Sequence, residues 1–213
     1  MWDYIVREQD LILYGAYQHV LLVVQAVALA TVLALLLAVL VTRVPSLEGA
    51  ANAFSAIGLT LPSFALIGLL LPILAIGPAP AFAAVTFYAV LPILRNAVVG
   101  LQGVDKTLLE SSRGMGMSPV MTLSRVQVPL AWPVILAGIR TSTQMSMGVA
   151  AIAAIALGPG LGDFIYSGLA QAGGVNALPM ALVGTVGVVI LALVLDALLL
   201  LVGRLTTSKG IRV

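Results

Sequence analysis

Long apolar runs dominate the chain and are separated by short polar segments. Charged residues are absent from four stretches, which cover residues 11–42, 49–94, 141–162 and 164–195. A helix that crosses the hydrocarbon core of a bilayer needs roughly 20 mostly apolar residues, so these stretches have room for one, two, one and one such helices. The apolar runs are continuous and lack the alternation of a membrane β-barrel. The pattern therefore predicts an all-α integral membrane protein with about five transmembrane helices.

Prolines and polar turns set the approximate limits of these helices. Pro62 and Pro72 interrupt the second helix, Pro92 lies in the third, and each is expected to kink its helix. Because no linker divides the chain, we predict one transmembrane domain over residues 1–213. Its predicted parts are five spans at about 19–41, 51–76, 81–101, 133–157 and 178–202, and a polar loop at 102–129.

Composition and charge narrow the class of protein. The chain is 61% hydrophobic and 8% charged, whereas soluble domains carry about 25% charged residues. It contains no cysteine, which removes disulfides and thiolate metal sites from consideration. The net charge of +2 comes from basic residues scattered at the helix ends rather than clustered. We therefore expect a lipid bilayer, and no nucleic acid, as the surroundings of this chain.

The basic residues also predict the orientation in the membrane. With five spans the two chain ends face opposite sides, and nearly all basic residues outside the spans then fall on one side. These residues are Arg43, Lys106, Arg113, Arg125, Arg204, Lys209 and Arg212. Arg7 remains on the other side. The positive-inside rule makes the basic side cytoplasmic, so the N-terminus is expected outside, with the C-terminus and residues 102–129 in the cytoplasm.

The polar loop has the features of a helix-turn-helix elbow that lies parallel to the membrane. Asp105 can cap a helix through Met115, and Gly116 suits a left-handed C-terminal cap. Ser118 can cap a second helix that has Pro119 at its first position. The first helix would present small residues beside charged ones: Ser111 and Ser112 next to Glu110 and Arg113. From the residues alone, an ordinary solvated loop is the alternative.

The spacing within this loop resembles a known motif. Glu110-Ser111-Ser112, three residues, Gly116, nine residues and then Val126-Gln127-Val128-Pro129 is similar to the EAA loop of inner-membrane permeases of ABC importers. Serine replaces both alanines and valine replaces the isoleucine and leucine, but the spacing is intact. The resemblance implies that this segment docks in a groove of an ATPase and couples ATPase closure to the spans. The residues assigned to docking and coupling are Glu110, Ser111, Ser112, Arg113, Gly114, Gly116, Ser118, Pro119 and Pro129.

Four further segments resemble permeases for glycine betaine, carnitine, choline and related osmoprotectants, so the resemblance covers nearly the whole chain. They are Leu91–Asn96, Gly100–Asp105, Gly138–Thr143 and Gly158–Asp163. The resemblance implies the type I ABC importer fold, alternating access, two ATPase subunits, a second permease subunit (identical or related) and a separate substrate-binding protein. The glycine-rich segment 158–176, with a short helix over 163–170, is expected to meet that protein. A permease for methionine or another amino acid is the alternative within the class.

The chain itself lacks the residues of an ATPase. Its two lysines, Lys106 and Lys209, do not follow a glycine, so no phosphate-binding P-loop is present. We therefore expect no enzyme activity and no bound cofactor, with ATP and magnesium on the separate ATPase. An ATP-independent channel or carrier is the alternative from another class, although the elbow would have no purpose there. A membrane-embedded enzyme would need converging His, Asp or Glu residues, which one histidine and one intramembrane aspartate do not supply.

Three charged residues lie in or near the predicted spans, where charge is costly and commonly functional. Arg95, Arg140 and Asp196 occur at similar depths from the cytoplasmic ends of their spans. One interpretation is that Asp196 pairs with Arg95 or Arg140 and clamps a cytoplasmic gate. The other is that all three extend independently to the interface.

Further pathway candidates are weaker. They are Asn96, Phe87 and Tyr88. The aromatic residues of the spans form no obvious cage for a quaternary ammonium group. The lone histidine, His19, is expected at the membrane interface.

Overall fold

The computed structural model describes residues 1–207, and the regular structure in that range is entirely helical. The all-α fold class predicted from the apolar runs is thus confirmed. The helices, in chain order, are α1 (Trp2–Arg7), α2 (Gln9–Arg43), α3 (Glu48–Thr60), α4 (Ser63–Leu74), α5 (Pro78–Gln102), α6 (Lys106–Gly114), α7 (Pro119–Thr122), α8 (Val128–Ile152), α9 (Gly162–Ala170) and α10 (Ala177–Thr206). Lys209 and Arg212, which contributed to the predicted orientation, lie outside the described residues.

The chain passes five times between two ends of a helical bundle. At one end, Arg43 contacts the backbone of Pro119 and Gln102 contacts Glu48. We call this the elbow end. At the other, the distal end, the Gly77 amide donates to the Ala156 carbonyl. Helices α2, α5 and α10 therefore run toward the elbow end, whereas α8 and the α3–α4 pair run away from it.

Four of these passes are single long helices, and the fifth is broken. Helices α2, α5, α8 with its neighbouring turns, and α10 are each long and apolar enough to cross a membrane. Helices α3 and α4 meet the same test together but are bent by 96°. The span predicted over 51–76 with an interruption at Pro62 consists of two short helices that meet at a sharp corner at that residue.

Proline chemistry explains the corner. Pro62 has extended backbone angles, φ −65° and ψ 127°, and the residue before a proline is also driven away from the helical region. Helix α3 therefore ends at Thr60 and α4 starts at Ser63. The hydroxyl of Tyr88 on α5 donates to the Leu61 carbonyl and fixes the corner against the bundle. The predicted interruption at Pro72 is absent, because α4 continues through it, and Pro92 likewise lies inside the continuous helix α5.

The core is formed by α2, α5 and α8, and the antiparallel helices α5 and α8 pack closely against each other. Small residues let the two backbones approach closely, as is usual between membrane helices. A Cβ atom on Gly138 would lie 2.6 Å from the Asn96 Cβ atom, and one on Gly100 would lie 3.1 Å from the Val134 Cβ atom. The buried Ser142 hydroxyl also donates to the Ala89 carbonyl at 2.8 Å. Close packing and one hydrogen bond across the seam make α5 and α8 a single rigid unit.

Replacing Gly138 by alanine is expected to loosen this seam. The added methyl group has no room beside Asn96 and lies 3.1 Å from the Pro92 carbonyl oxygen, so the helices must separate. Overpacking of this kind costs about 1–3 kcal/mol, and the melting temperature of the detergent-solubilised protein should fall by several degrees. Gly148→Ala is the matched control, because a Cβ there meets nothing within 4 Å. Equal melting temperatures for the two variants would contradict the close approach at Gly138.

His19 was expected at the membrane interface and lies inside the protein at the start of the apolar part of α2. The residue is 0% exposed. Its Nε2 atom lies 3.1 Å from the Met147 carbonyl oxygen, and its Nδ1 atom accepts a hydrogen bond from the Leu161 amide at 3.3 Å. These two contacts require the neutral ring with its proton on Nε2. His19 thereby joins α2 to α8 and to the loop before α9.

Helix α2 is longer than a membrane crossing requires. Its 35 residues extend about 52 Å at 1.5 Å per residue, against about 30 Å of hydrocarbon. The predicted span over 19–41 accounts for the apolar part. Residues 9–18 continue the helix beyond it at the distal end, where they meet α1 and α9.

Candidate functional site: the elbow and an intramembrane ion pair

The elbow has the two capped helices that its sequence predicts. The Asp105 side chain accepts a hydrogen bond from the Thr107 amide at 2.8 Å and starts α6. Gly116 has a φ of +81°, the left-handed conformation that turns the chain. The Ser118 hydroxyl accepts from the Met121 amide at 3.3 Å and starts α7. Local capping rules therefore predicted this part of the site correctly.

Ser112 has a different place from the one expected. It was expected on the outer surface, but it is 1% exposed. Its hydroxyl donates to the Leu109 carbonyl at 2.8 Å and lies 3.3 Å from the Thr122 hydroxyl. A small residue is needed here because α6 and α7 touch at this point. Ser112 thus shapes the inside of the elbow, while Glu110, Ser111 and Arg113 lie on its exposed surface.

Three contacts attach the elbow to the bundle. Arg43 at the end of α2 donates to the Pro119 carbonyl at 3.1 Å. Gln127 donates to the Leu101 carbonyl at the end of α5, at 2.9 Å. A π-helical turn over Leu123–Gln127 joins α7 directly to α8, whose second residue is the exposed Pro129. The elbow is therefore connected to α2, α5 and α8.

The outer surface of the elbow combines apolar and charged side chains. Met115 is 71% exposed and Val120 is 74% exposed. Glu110, Ser111 and Arg113 are exposed beside them. Exposed apolar residues rimmed by charges are typical of protein–protein contact surfaces. The geometry can therefore serve a docking contact, and its small residues Ser111 and Gly114 permit close approach.

The intramembrane charges form one pair. Arg140 on α8 donates from Nε to Asp196 Oδ1 at 2.8 Å and from Nη2 to Asp196 Oδ2 at 3.0 Å. Both residues lie about three turns from the elbow end of their helices. The two-pronged geometry is the strongest form of such a contact. Of the two predicted partners for Asp196, the structure selects Arg140, and independent extension of these two side chains to the interface does not occur.

Arg95 and Asn96 do not join the pair. Arg95 is exposed and makes no ion pair within residues 1–207. Asn96 donates to the Pro92 carbonyl of its own helix at 2.8 Å and packs against Gly138. Asn96 is thus a packing residue of the seam between α5 and α8, and Arg95 points away from that seam.

The aromatic candidates cluster at the corner between α3 and α4. The Phe87 ring meets Phe54 edge to face at 6.0 Å between centroids, and meets Tyr88 at 5.5 Å. Tyr88 is 4% exposed and its hydroxyl is engaged by Leu61, so it positions the corner and does not line an open path. Phe54, which is 46% exposed, was not among the predicted site residues. Only the fold brings it next to Phe87.

The candidate site is built from exposed side chains and from contacts between helices. Within residues 1–207, the His, Asp and Glu side chains do not gather in threes as a metal ion would require. What the residues do form is an exposed surface of apolar and charged side chains on the elbow, contacts that join the elbow to the bundle, and an ion pair between α8 and α10.

The known proteins to which this chain is similar are membrane permeases. The chain is 41% identical over 201 residues to the choline transport system permease protein OpuBB of Bacillus subtilis, covering 94% of this chain and 91% of that protein. The glycine betaine/carnitine/choline transport system permease protein OpuCB of the same organism gives the same figures. The osmoprotectant import permease protein OsmW of Salmonella typhimurium is 38% identical, with 92% of each chain covered. These relatives confirm the resemblance to osmoprotectant permeases over the alternatives of an amino-acid permease and of a channel or carrier.

Solved structures identify the fold. A permease chain from inward-facing crystals of the MetNI methionine ABC transporter matches with a TM-score of 0.81 and 24% identity, covering 95% of this chain and 99% of that chain. This confirms the type I ABC importer fold. The family model for the inner membrane component of binding-protein-dependent transport systems matches residues 22–208. The chain belongs to this family of multi-pass permeases of the cell membrane.

Proposed function

We propose that this chain is the transmembrane subunit of an ATP-driven importer for a quaternary-ammonium osmoprotectant such as glycine betaine, carnitine or choline. The relatives that are 41% identical over 94% of the chain are named for these substrates. The elbow, with its Gly116 turn at φ +81° and its exposed charged residues, is the observation that supports an ATP-driven mechanism. A channel or carrier has no use for such a structure.

The translocation pathway requires more than one subunit. A single five-pass bundle with a filled seam between α5 and α8 leaves no enclosed route, so a second permease subunit, identical or related, completes it. Alternating access follows if the two bundles tilt against each other around a substrate between them. The exposed apolar faces of α4 and α10 are available for lipid and for that second subunit.

ATP hydrolysis takes place on partner subunits in this proposal. Two ATPase subunits carry ATP and magnesium, and each docks on one elbow through Glu110, Ser111 and Arg113. Gly114, Ser118 and Pro129 hold the shape of the elbow, and this chain binds no cofactor. When the ATPases close, the elbow moves, and Arg43 and Gln127 pass the displacement to α2 and α5.

The orientation follows from the docking. The elbow end faces the cytoplasm together with the C-terminus, and the N-terminus lies outside. The separate substrate-binding protein then meets the distal end through segment 158–176. The Arg140–Asp196 pair, on the cytoplasmic half of the bundle, holds α10 to α8 and serves as the clamp of the cytoplasmic gate.

Uptake by the reconstituted system tests this function. Proteoliposomes that contain the permease with its ATPase and binding protein should accumulate labelled choline or glycine betaine only when ATP is present. Methionine in tenfold excess should leave uptake unchanged, and a non-hydrolysable ATP analogue should abolish it. Competition by methionine would refute the substrate class, and uptake without ATP would refute the importer.

A further inference from the structure

A cavity opens at the distal end, away from the elbow and from the seam. It has a volume of about 690 Å³, within the range of pockets that bind small ligands. Its walls come from α1, residues 9–18 of α2, the start of α5, the loop before α9, α9 itself and the first residues of α10. Because this part of α2 lies beyond the apolar span, the cavity is at the membrane surface, where a solute can enter from water.

The walls of the cavity combine aromatic rings and carboxylates. Tyr4, Tyr14 and Phe164 supply the rings, and Glu8 and Asp163 supply the carboxylates. Among the described residues, no lysine or arginine side chain lines the cavity. Aromatic faces and carboxylates both attract cations, and faces of this kind are the usual means of holding a quaternary ammonium group.

The fold brings these groups together from three segments. Gly15 lets α2 approach α9 so closely that a Cβ atom there would lie 3.3 Å from Cε2 of Phe164. Asp163 lies in the first turn of α9, one residue before Phe164. Gly15 and Phe164 therefore lie in close contact, and their chain neighbours Tyr14 and Asp163 line the same cavity.

Two of the lining residues already share a cation. The Arg7 guanidinium lies 5.8 Å from the centroid of the Tyr4 ring, and its Nε donates to Glu8 at 3.1 Å. Arg7 itself is not among the lining residues. Asp163 has no ion pair within residues 1–207. Tyr14, Phe164 and Asp163 therefore offer aromatic rings and a carboxylate that has no cationic side chain paired with it.

We propose that the distal cavity is a binding site for a small organic cation of the quaternary-ammonium class, with Tyr14, Phe164 and Asp163 as its main contacts. This builds on the proposed function, because it places a receiving site for the same substrate class on the permease itself. The site is shallow and open, so its affinity is low and its ligand exchanges rapidly. It lies where a solute released by a binding protein on segment 158–176 would first meet this chain.

Direct binding to the full-length permease tests the site without the ATPase or the binding protein. The protein is placed in nanodiscs of phosphatidylglycerol, whose headgroups carry no ammonium group that could occupy the cavity. Saturation-transfer difference NMR then follows the methyl protons of choline. The neutral alcohol 3,3-dimethyl-1-butanol, which has the same shape without the charge, is measured in parallel, and empty nanodiscs give the background.

Choline should give a saturable signal above the background and bind at least about fivefold more tightly than the neutral alcohol. Tyr14→Ala and Asp163→Asn should each weaken choline binding by about threefold to fivefold. Tyr17→Ala is the matched control, since Tyr17 is 62% exposed against 60% for Tyr14 but does not line the cavity; its choline binding should equal that of the wild type.

Three outcomes would overturn the inference: no choline signal above empty nanodiscs, equal binding of the neutral alcohol, or an equal loss in Tyr17→Ala. The result separates this inference from the proposed function. ATP-driven choline uptake by a permease without choline binding would remove the cavity site alone. Choline binding by a permease whose reconstituted system takes up no osmoprotectant would remove the proposed function alone.

Discussion

Replacement of Gly116 by valine is expected to abolish ATPase binding and transport while the helical bundle stays folded. The left-handed φ of +81° at this turn costs a β-branched residue about 2 kcal/mol, a factor of about 30 in the population of the docking conformation. A Cβ atom at Gly116 meets nothing within 4 Å, so the effect comes from backbone strain alone. Co-purification of the ATPase with the permease from the native membrane measures it.

Gly173→Val is the matched control for this experiment. Gly173 also has a positive φ, +90°, and an added Cβ atom there also meets nothing within 4 Å. It lies in the loop between α9 and α10 at the distal end, so the ATPase should still co-purify with this variant. Retention of the ATPase by Gly116→Val at the wild-type level would contradict docking on the elbow. Absence of any ATPase from the wild-type preparation would contradict the importer itself.

Replacement of Asp196 by alanine is expected to destabilise the packing of α10 on α8 and to reduce transport at least tenfold. The change leaves the Arg140 guanidinium inside the membrane without the carboxylate that it contacts at 2.8 Å. The side chains are 31% and 16% exposed, so the cost is smaller than for a fully buried pair and amounts to about 2 kcal/mol. Melting temperature and uptake are measured on the same preparations.

Charge exchange identifies the partner and the role. The double variant Arg140→Asp with Asp196→Arg should recover most of the lost stability, whereas Arg95→Asp with Asp196→Arg should recover none, because Arg95 is exposed and points away from the pair. If this Arg140–Asp196 exchange restores transport as well as stability, the ion pair itself is what transport requires, whichever helix carries the positive charge. If Arg95→Asp rescues Asp196→Arg equally well, the pairing described here is not the functional one.

Local rules made the elbow predictable from sequence. Each of its features depends on residues two to four positions apart: Asp105 and Thr107, Ser118 and Met121, and the glycine at the turn. The apolar runs predicted the long helices in the same way, since a bilayer demands continuous hydrophobic length. Both kinds of signal are contained in short windows of the chain.

Features that depend on helix rotation and on distant contacts were not predictable. Ser112 lies on the inner side of α6 because α7 folds back against it, which spacing alone does not reveal. Asp196 pairs with Arg140, whereas Arg95, at a similar predicted depth, is exposed. His19 is buried through contacts with residues 128 and 142 positions away. The aromatic rings of the distal cavity likewise come from three separate helices, so the sequence showed no cage.

The sequence predicted a break at Pro62 but not the angle of 96° between α3 and α4. This angle affects how the backbone amide groups at the start of α4 are solvated. No side chain caps the start of α4 at this corner, so the first amide groups of that helix need partners from outside the segment. Hydrocarbon cannot hydrogen-bond these amides, and irregular backbone at membrane depth is tolerated only against protein or water. The corner must therefore be separated from lipid by protein or by water, so this face of the bundle differs from an ordinary lipid-facing helix surface.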